Sequence, residues 1–289
     1  MHSFPLIEAD LLHADLLNKD TVILDATFTL PNQGRLPRHE FESCHLPGAQ
    51  FFDIEEIKDT GNPLPHMLPK PEDFATAAGA LGIGEDTRVI LYDNHRFMAS
   101  ARAWWMFRVF GHDNVRILDG GLARWLQMGY ETESLNSSPR PQRQFSARFQ
   151  KEWVSGFEDL HQNLKSGQYQ VIDARPAGRF EGLDPEPRPG LRQGHIPGSR
   201  NLPFSDLIDE KTGQLLEKKA LEQAFLSRGC DPLLPTITTC GSGVTAAILA
   251  LGLYCLREGT TAVYDGSWAE WGLPGSHPVA TGISEIVQL

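Results

Sequence analysis

Apolar and polar positions along this chain switch between a helical period and a strand period, and they do so twice in the same order. Stretches with 3.6-residue spacing, IEADLLHADLL from Ile7 and FEDLHQNLKS from Phe157, each precede a short β-branched run that ends in an aspartate, Asp25 or Asp173. A turn and an H-x-P-G segment follow, then a strand, a Pro-interrupted stretch, and a helix over Glu72 to Leu81 or Leu216 to Ser227. Each series closes with a buried apolar strand, a tight loop, a long apolar helix and a strand ending in Asp-Gly. This alternation predicts an α/β fold, a mainly parallel sheet flanked by helices on both faces.

Aligned on these landmarks, the halves are a repeat. VILDATF from Val22 answers VIDARPAGRF from Val171, and HLPGAQFFDI from His45 answers HIPGSRNLPF from His195. RVILYD from Arg88 answers TITTC from Thr236, and ILDGGLARW from Ile117 answers VYDGSWAEW from Val263. Offsets of 146 to 150 residues make the repeat a whole domain, not a solenoid element. The expected organisation is an N-terminal domain over residues 1–133, a linker rich in Ser, Pro and Arg over 134–150, and a C-terminal domain over 151–289.

Composition narrows the function classes. The 289 residues carry 26 basic and 37 acidic side chains, a net charge of −11, which argues against nucleic acid or an anionic membrane as partner. No apolar run approaches the roughly 18 residues of a membrane span, and the opening residues lack the pattern of a secretory signal, so a cytoplasmic location is expected. Four cysteines, Cys44, Cys230, Cys240 and Cys255, without C-x-x-C spacing, fit reduced thiols better than a disulfide framework or a zinc site.

The chemistry concentrates in CGSGVTA, Cys240 to Ala246, at a strand end and a helix start. Two glycines and otherwise small residues let successive N–H groups turn toward one point, and the helix start adds partial positive charge that favours a thiolate. The plain alternative is a cysteine buried as a small hydrophobe. In the first half the same place holds Asp93 in DNHRFMAS, with no thiol and a bulky Phe97, so catalysis is expected in the second domain alone. A cysteine phosphatase would need C-x5-R, and position 246 is alanine.

Together the paired HLPGAQ and HIPGSR segments, GRFEGLDPEPRPG, CGSGVTA and DGSWAEW resemble the two-domain rhodanese superfamily, and within it the sulfurtransferases that use 3-mercaptopyruvate. The resemblance implies an inactive first domain, a persulfide on Cys240, release of pyruvate, and no metal or cofactor. It implies an acceptor such as thioredoxin, another thiol, or cyanide. The backbone of Gly241, Gly243, Val244, Thr245 and Ala246 would hold the bound anion. Ser242 would work with His66 of PHML and Glu55 of FFDIEE, although relatives can carry Asp at the latter position. Turn chemistry for Ser242, an exposed loop histidine and a solvated glutamate are the plain alternatives. Arg179 and Arg188 would clamp the substrate carboxylate, leaving Arg175 and Arg192 structural.

A thiosulfate-preferring member would carry basic residues directly after the cysteine, where this chain has Gly241 and Ser242. Thiosulfate remains the second donor, and a non-enzymatic persulfide carrier the alternative class. His45 and His195 recur in both halves and read as turn-fixing; Trp104, Trp105, Phe107 and Cys255 read as core.

Overall fold

The computed structural model describes residues 4–30, 33–135, 137–257 and 259–283. The chain divides into two compact units. The first takes residues through Thr60, Leu68–Gln150 and Asp209–Leu215; the second takes Gly61–Met67, Lys151–Ile208 and the chain from Leu216 onward. Gly61–Met67 therefore belongs to the unit formed by the opposite half of the sequence.

The first unit runs β1 (Leu6–Ile7), α1 (Ala9–Ala14), β2 (Thr21–Asp25), α2 (Pro37–Ser43), β3 (Gln50–Phe51), α3 (Pro71–Ala80), β4 (Arg88–Tyr92), α4 (Ser100–Val109), β5 (Val115–Leu118) and α5 (Gly121–Gln127). The second repeats it with β6 (Val154–Ser155), α6 (Phe157–Ser166), β7 (Gln170–Asp173), α7 (Ala177–Glu181), β8 (Arg200–Asn201), α8 (Lys218–Ser227), β9 (Thr236–Thr239), α9 (Ala246–Leu256), β10 (Ala262–Tyr264) and α10 (Ser267–Trp271). Both sheets have five parallel strands in the same spatial order, β1-β5-β4-β2-β3 and β6-β10-β9-β7-β8.

The apolar runs explain this layering. Every residue of β2 and β9 is buried, as parallel strands covered on both faces require. All ten residues of α4 are buried, Trp104, Trp105 and Phe107 among them, and α9 is buried from Ala246 through Leu253. No helix among the described residues is long and apolar enough to cross a membrane.

Two segments depart from the expected pattern. Leu6 and Ile7 open the first sheet by pairing with Ile117 and Leu118, so the first helix starts at Ala9. Residues 137–150 of the Ser/Pro/Arg-rich stretch lie against the first unit. Phe145 is buried with its ring 5.7 Å from Phe74, and the amides of Arg143 and Arg148 bond the carbonyls of Gly79 and Phe110. Gly79 permits this approach, because a Cβ there would collide with the carbonyl of Arg143. One buried aromatic among prolines and arginines has no periodicity to betray it.

The HxPG turns serve structure in both units. The ring Nδ1 of His45 donates to the carbonyl of Phe41 at 2.7 Å, and that of His195 to the carbonyl of Phe180 at 2.8 Å, each imidazole stacking on the same phenylalanine.

At the carboxyl end of β2, Asp25 is 2% exposed and accepts the Thr27 amide at 2.8 Å, and no cation pairs with it among the described residues. Burial, only partly offset by hydrogen bonds from Thr27 and Tyr92, pushes its carboxyl up to about 6. The folded carboxyl thus holds a proton between about pH 4 and pH 6 that the unfolded chain has released, so its contribution to stability falls as pH rises through that window and the cost persists above it. Asp25→Asn keeps an acceptor for Thr27 and removes the charge. Relative to the parent, its stability should improve by roughly 2–3 kcal/mol between pH 4 and pH 7, read from denaturant unfolding at both pH values; an unchanged difference would refute the assignment.

Candidate functional site

Strand order places the candidate site. From β7 the chain moves outward to β8, and from β9 it moves the other way to β10, although β7 and β9 are adjacent. The loops leaving these two carboxyl ends diverge and create a crevice, the usual ligand position in an open parallel sheet. Cys240 directly follows β9, and Arg175 and Arg179 follow β7.

The cysteine loop is held from below by a single hydroxyl. Ser267 Oγ accepts the amides of Cys240 at 3.1 Å and Gly243 at 3.0 Å and donates to the carbonyl of Tyr264 at 2.7 Å. The amides of Trp268 and Ala269 bond the carbonyls of Cys240 and Gly241, both at 2.9 Å. Gly243 turns the loop with φ +75°, and Ser267 itself sits at φ +51°, a costly conformation for a residue with a Cβ. Among the described residues, no backbone acceptor takes the amides of Gly241, Ser242, Val244, Thr245 or Ala246, which remain available as donors.

The first unit shows what such a loop binds. Asp93, in the place of Cys240, is 3% exposed, and its carboxylate accepts the amides of His95 (2.9 Å), Phe97 (3.1 Å), Ala99 (3.2 Å) and Ser100 (2.9 Å), together with the Ser100 hydroxyl at 2.7 Å. An anion attached to the chain one residue past the central strand fills the amide ring. Where the second unit has Ser267, the first has Gly121, with no hydroxyl, and the carboxylate does the tethering instead. That Gly/Ser difference was visible in the aligned DGG and DGS segments; its meaning was not.

The arginines divide by partner. Arg175 is fully buried: Nε and Nη2 bond Asp173, Nη1 bonds Glu186 at 2.8 Å, and the guanidinium lies 4.3 Å from the centroid of Trp268. It neutralises at the end of β7 the carboxylate that Asp25 leaves bare in the first unit. Arg192 ties the chain's last turns, donating to the carbonyls of His277 and Trp271 at 2.9 Å. Arg179 is one-fifth exposed and bonds Glu186 at 2.5 Å, and its buried Nε has no acceptor among the described residues. A Cβ added to Gly241 would lie 3.1 Å from its Nη2, so this guanidinium covers the peptide that follows the cysteine. Arg188 is half-buried on the same stretch.

Ser242 and His66 come together. The His66 Nδ1 lies 3.1 Å from the Ser242 Oγ, both residues are buried, and His66 adopts φ +59°. An exposed loop histidine is therefore ruled out. Glu55 stays in the first unit, largely exposed, with Lys58 2.5 Å from its carboxylate. Of the other thiols, Cys230 is buried, and desolvation pushes its pKa up to about 12.

Both halves of the chain match the model of the Rhodanese-like domain, over residues 8–128 and 157–273. The chain is 43% identical over 265 residues to the human protein 3-mercaptopyruvate sulfurtransferase, spanning 91% of this chain and 89% of that one. It is 41% identical over 251 residues to thiosulfate sulfurtransferase of Gallus gallus, spanning 86% and 85%. The crystal structure of SseA from Escherichia coli, described as showing the fold and catalytic mechanism of 3-mercaptopyruvate sulfotransferases, superposes with a TM-score of 0.84 at 39% identity over 93% of this chain and 100% of that one.

Replacing Ser267 with Ala removes the acceptor of two loop amides while retaining the positive φ. Hydrogen exchange at Cys240 and Gly243 should accelerate roughly 10- to 100-fold, the equivalent of losing 1–3 kcal/mol of local protection. Parent-like exchange at both amides would show that the hydroxyl does not hold the loop.

Proposed function

The chain belongs to the rhodanese-like family, and from that premise we propose that it is a sulfurtransferase moving the sulfur of 3-mercaptopyruvate to a thiol or cyanide through a persulfide on Cys240. The Cys240 thiolate attacks the substrate sulfur; the S–S bond forms as the C–S bond breaks, and the electron pair leaves as the enolate of pyruvate. The thiol proton of the substrate ends on the methyl carbon of pyruvate, and the enzyme holds Cys–S–S⁻. An acceptor thiolate or cyanide then takes the outer sulfur and restores the thiolate, a two-step exchange with ping-pong kinetics.

The observation that carries this reading is the carboxylate of Asp93. An equivalent loop in the same chain gathers four amides around an anion one residue beyond the central strand, and in the second unit the anion there is the persulfide. Fixed backbone dipoles stabilise it without reorganisation. Ser242 and His66, in hydrogen-bond contact, are the pair proposed to carry the proton from sulfur to carbon. Arg179 and Arg188 are assigned to the substrate carboxylate, for which a guanidinium offers a planar fork. Glu55 is proposed to contribute less, its carboxylate being engaged by Lys58.

Thiosulfate is the second reading, favoured by the 41% identity to a relative named for it. Against it, the two positions directly after the nucleophile, Gly241 and Ser242, carry no cation of their own. The acceptor is proposed to be a protein or small thiol such as thioredoxin, or cyanide, and the reducing cytoplasm is the proposed location; four unbridged cysteines fit such a compartment.

After incubation with 3-mercaptopyruvate, the parent should gain one sulfur atom, about 32 Da, and Cys240→Ser should not; an adduct surviving in the variant would overturn the nucleophile. The kcat/KM for 3-mercaptopyruvate should exceed that for thiosulfate. Arg188→Ala should raise KM for 3-mercaptopyruvate roughly 10- to 100-fold while leaving KM for mercaptoacetone, which lacks the carboxylate, within about twofold. Equal effects on the two thiols would exclude a carboxylate clamp.

A further inference from the structure

Glu186 stands out as a buried charge in an exposed loop. Its neighbours Asp184, Pro185 and Pro187 face solvent, yet its own side chain is 2% exposed. A carboxylate withdrawn from water needs cations, and this one has two: Arg175 Nη1 at 2.8 Å from Oε1 and Arg179 Nη2 at 2.5 Å from Oε2. Arg175 is already matched by Asp173, which takes its Nε and Nη2. The charge of Glu186 is therefore matched by Arg179.

The consequence lies in orientation. An arginine side chain has freely rotating bonds and a planar head, and a carboxylate on one arm fixes the plane. Glu186 holds Nη2 of Arg179 beside Gly241, while the buried Nε has no acceptor among the described residues and the guanidinium keeps donors for a second anion. Arg175 completes the support from the opposite end, because it rests on Trp268, whose amide bonds the carbonyl of Cys240. Asp173, Arg175, Glu186 and Arg179 thus form one alternating chain of charge from the end of β7 to the peptide after the nucleophile.

We propose that Glu186 is a positioning residue that aims Arg179 at the carboxylate of the sulfur donor, and so sets selectivity for mercapto acids over mercapto ketones. The proposal rests on the reading of Arg179 as part of the carboxylate clamp. Glu186 touches no reacting atom; it acts through the guanidinium. Prolines at 185, 187 and 189 stiffen the segment that carries Glu186.

Steady-state kinetics of the full-length chain with 3-mercaptopyruvate and with mercaptoacetone test this. Glu186→Ala should raise KM for 3-mercaptopyruvate about tenfold, with kcat and the KM for mercaptoacetone within about twofold of the parent. Glu186→Gln, which keeps one acceptor, should give a smaller rise, and it carries the test should the alanine variant lose its fold. Adding Glu186→Ala to Arg179→Ala should raise KM no further, because both changes remove the same interaction. Equal losses with the two thiols, no loss with either, or full additivity with Arg179→Ala would overturn the proposal. Arg179→Ala alone separates the two ideas. If it leaves KM for 3-mercaptopyruvate unchanged, the clamp itself fails; if it raises KM and Glu186→Ala does not, only the positioning role fails.

Discussion

A ring of backbone amides must face a negative charge. In each unit the chain leaves the central strand through a loop tight enough to turn several N–H groups inward, and buried amides without an acceptor each cost on the order of 1–3 kcal/mol. The first unit resolves this with a permanent anion from its own sequence: the Asp93 carboxylate takes four amides and a hydroxyl. The second removes the carboxylate and supplies a thiol. Its loop then needs another anchor, and Ser267 provides one from beneath, at a positive φ that only its hydrogen bonds make tolerable. The amides left over are what a transient anionic sulfur can use. The two units differ in where the anion comes from.

The same economy governs the carboxylates at the ends of β2 and β7. Asp25 and Asp173 occupy equivalent, buried positions, but among the described residues only Asp173 has an arginine. In the first unit burial without a paired cation leaves that carboxyl raised to about 6. In the second, Arg175 starts a chain of alternating charges that reaches Arg179 beside the nucleophile. Buried ion pairs add little net stability, since desolvation offsets their attraction. Their value here is geometric, holding a cation in one orientation beside a loop that carries no cation of its own.

Much of this was legible in the chain. Periodicity marked two α/β halves, the pairing of HLPG with HIPG and DGG with DGS marked a repeat, and a cysteine before glycines at a helix start marked the proposed nucleophile. Other features left no pattern. Phe145 sits in a stretch that reads as a linker, because a single packed aromatic has no period. Glu186 drew no reading from the sequence, because burial of one side chain in an exposed loop depends on partners seven and eleven residues away. Asp93 read as a missing thiol, since a list of residues does not say that amides converge on its carboxylate.

By itself, then, the sequence determined the architecture and marked one candidate reactive thiol, because hydrophobic period, glycine placement and the identity of one cysteine are local properties of the chain; the reaction class came from the family resemblance. Only the tertiary structure decided which polar residues act together. His66, from the first half of the chain, joins Ser242 because Gly61–Met67 packs into the second unit. Ser267 supports Cys240 across 27 residues, and Glu186 bonds Arg179. Hydrogen bonds and ion pairs depend on distance and direction in space, and sequence spacing encodes neither once the chain has crossed from one strand of a sheet to another.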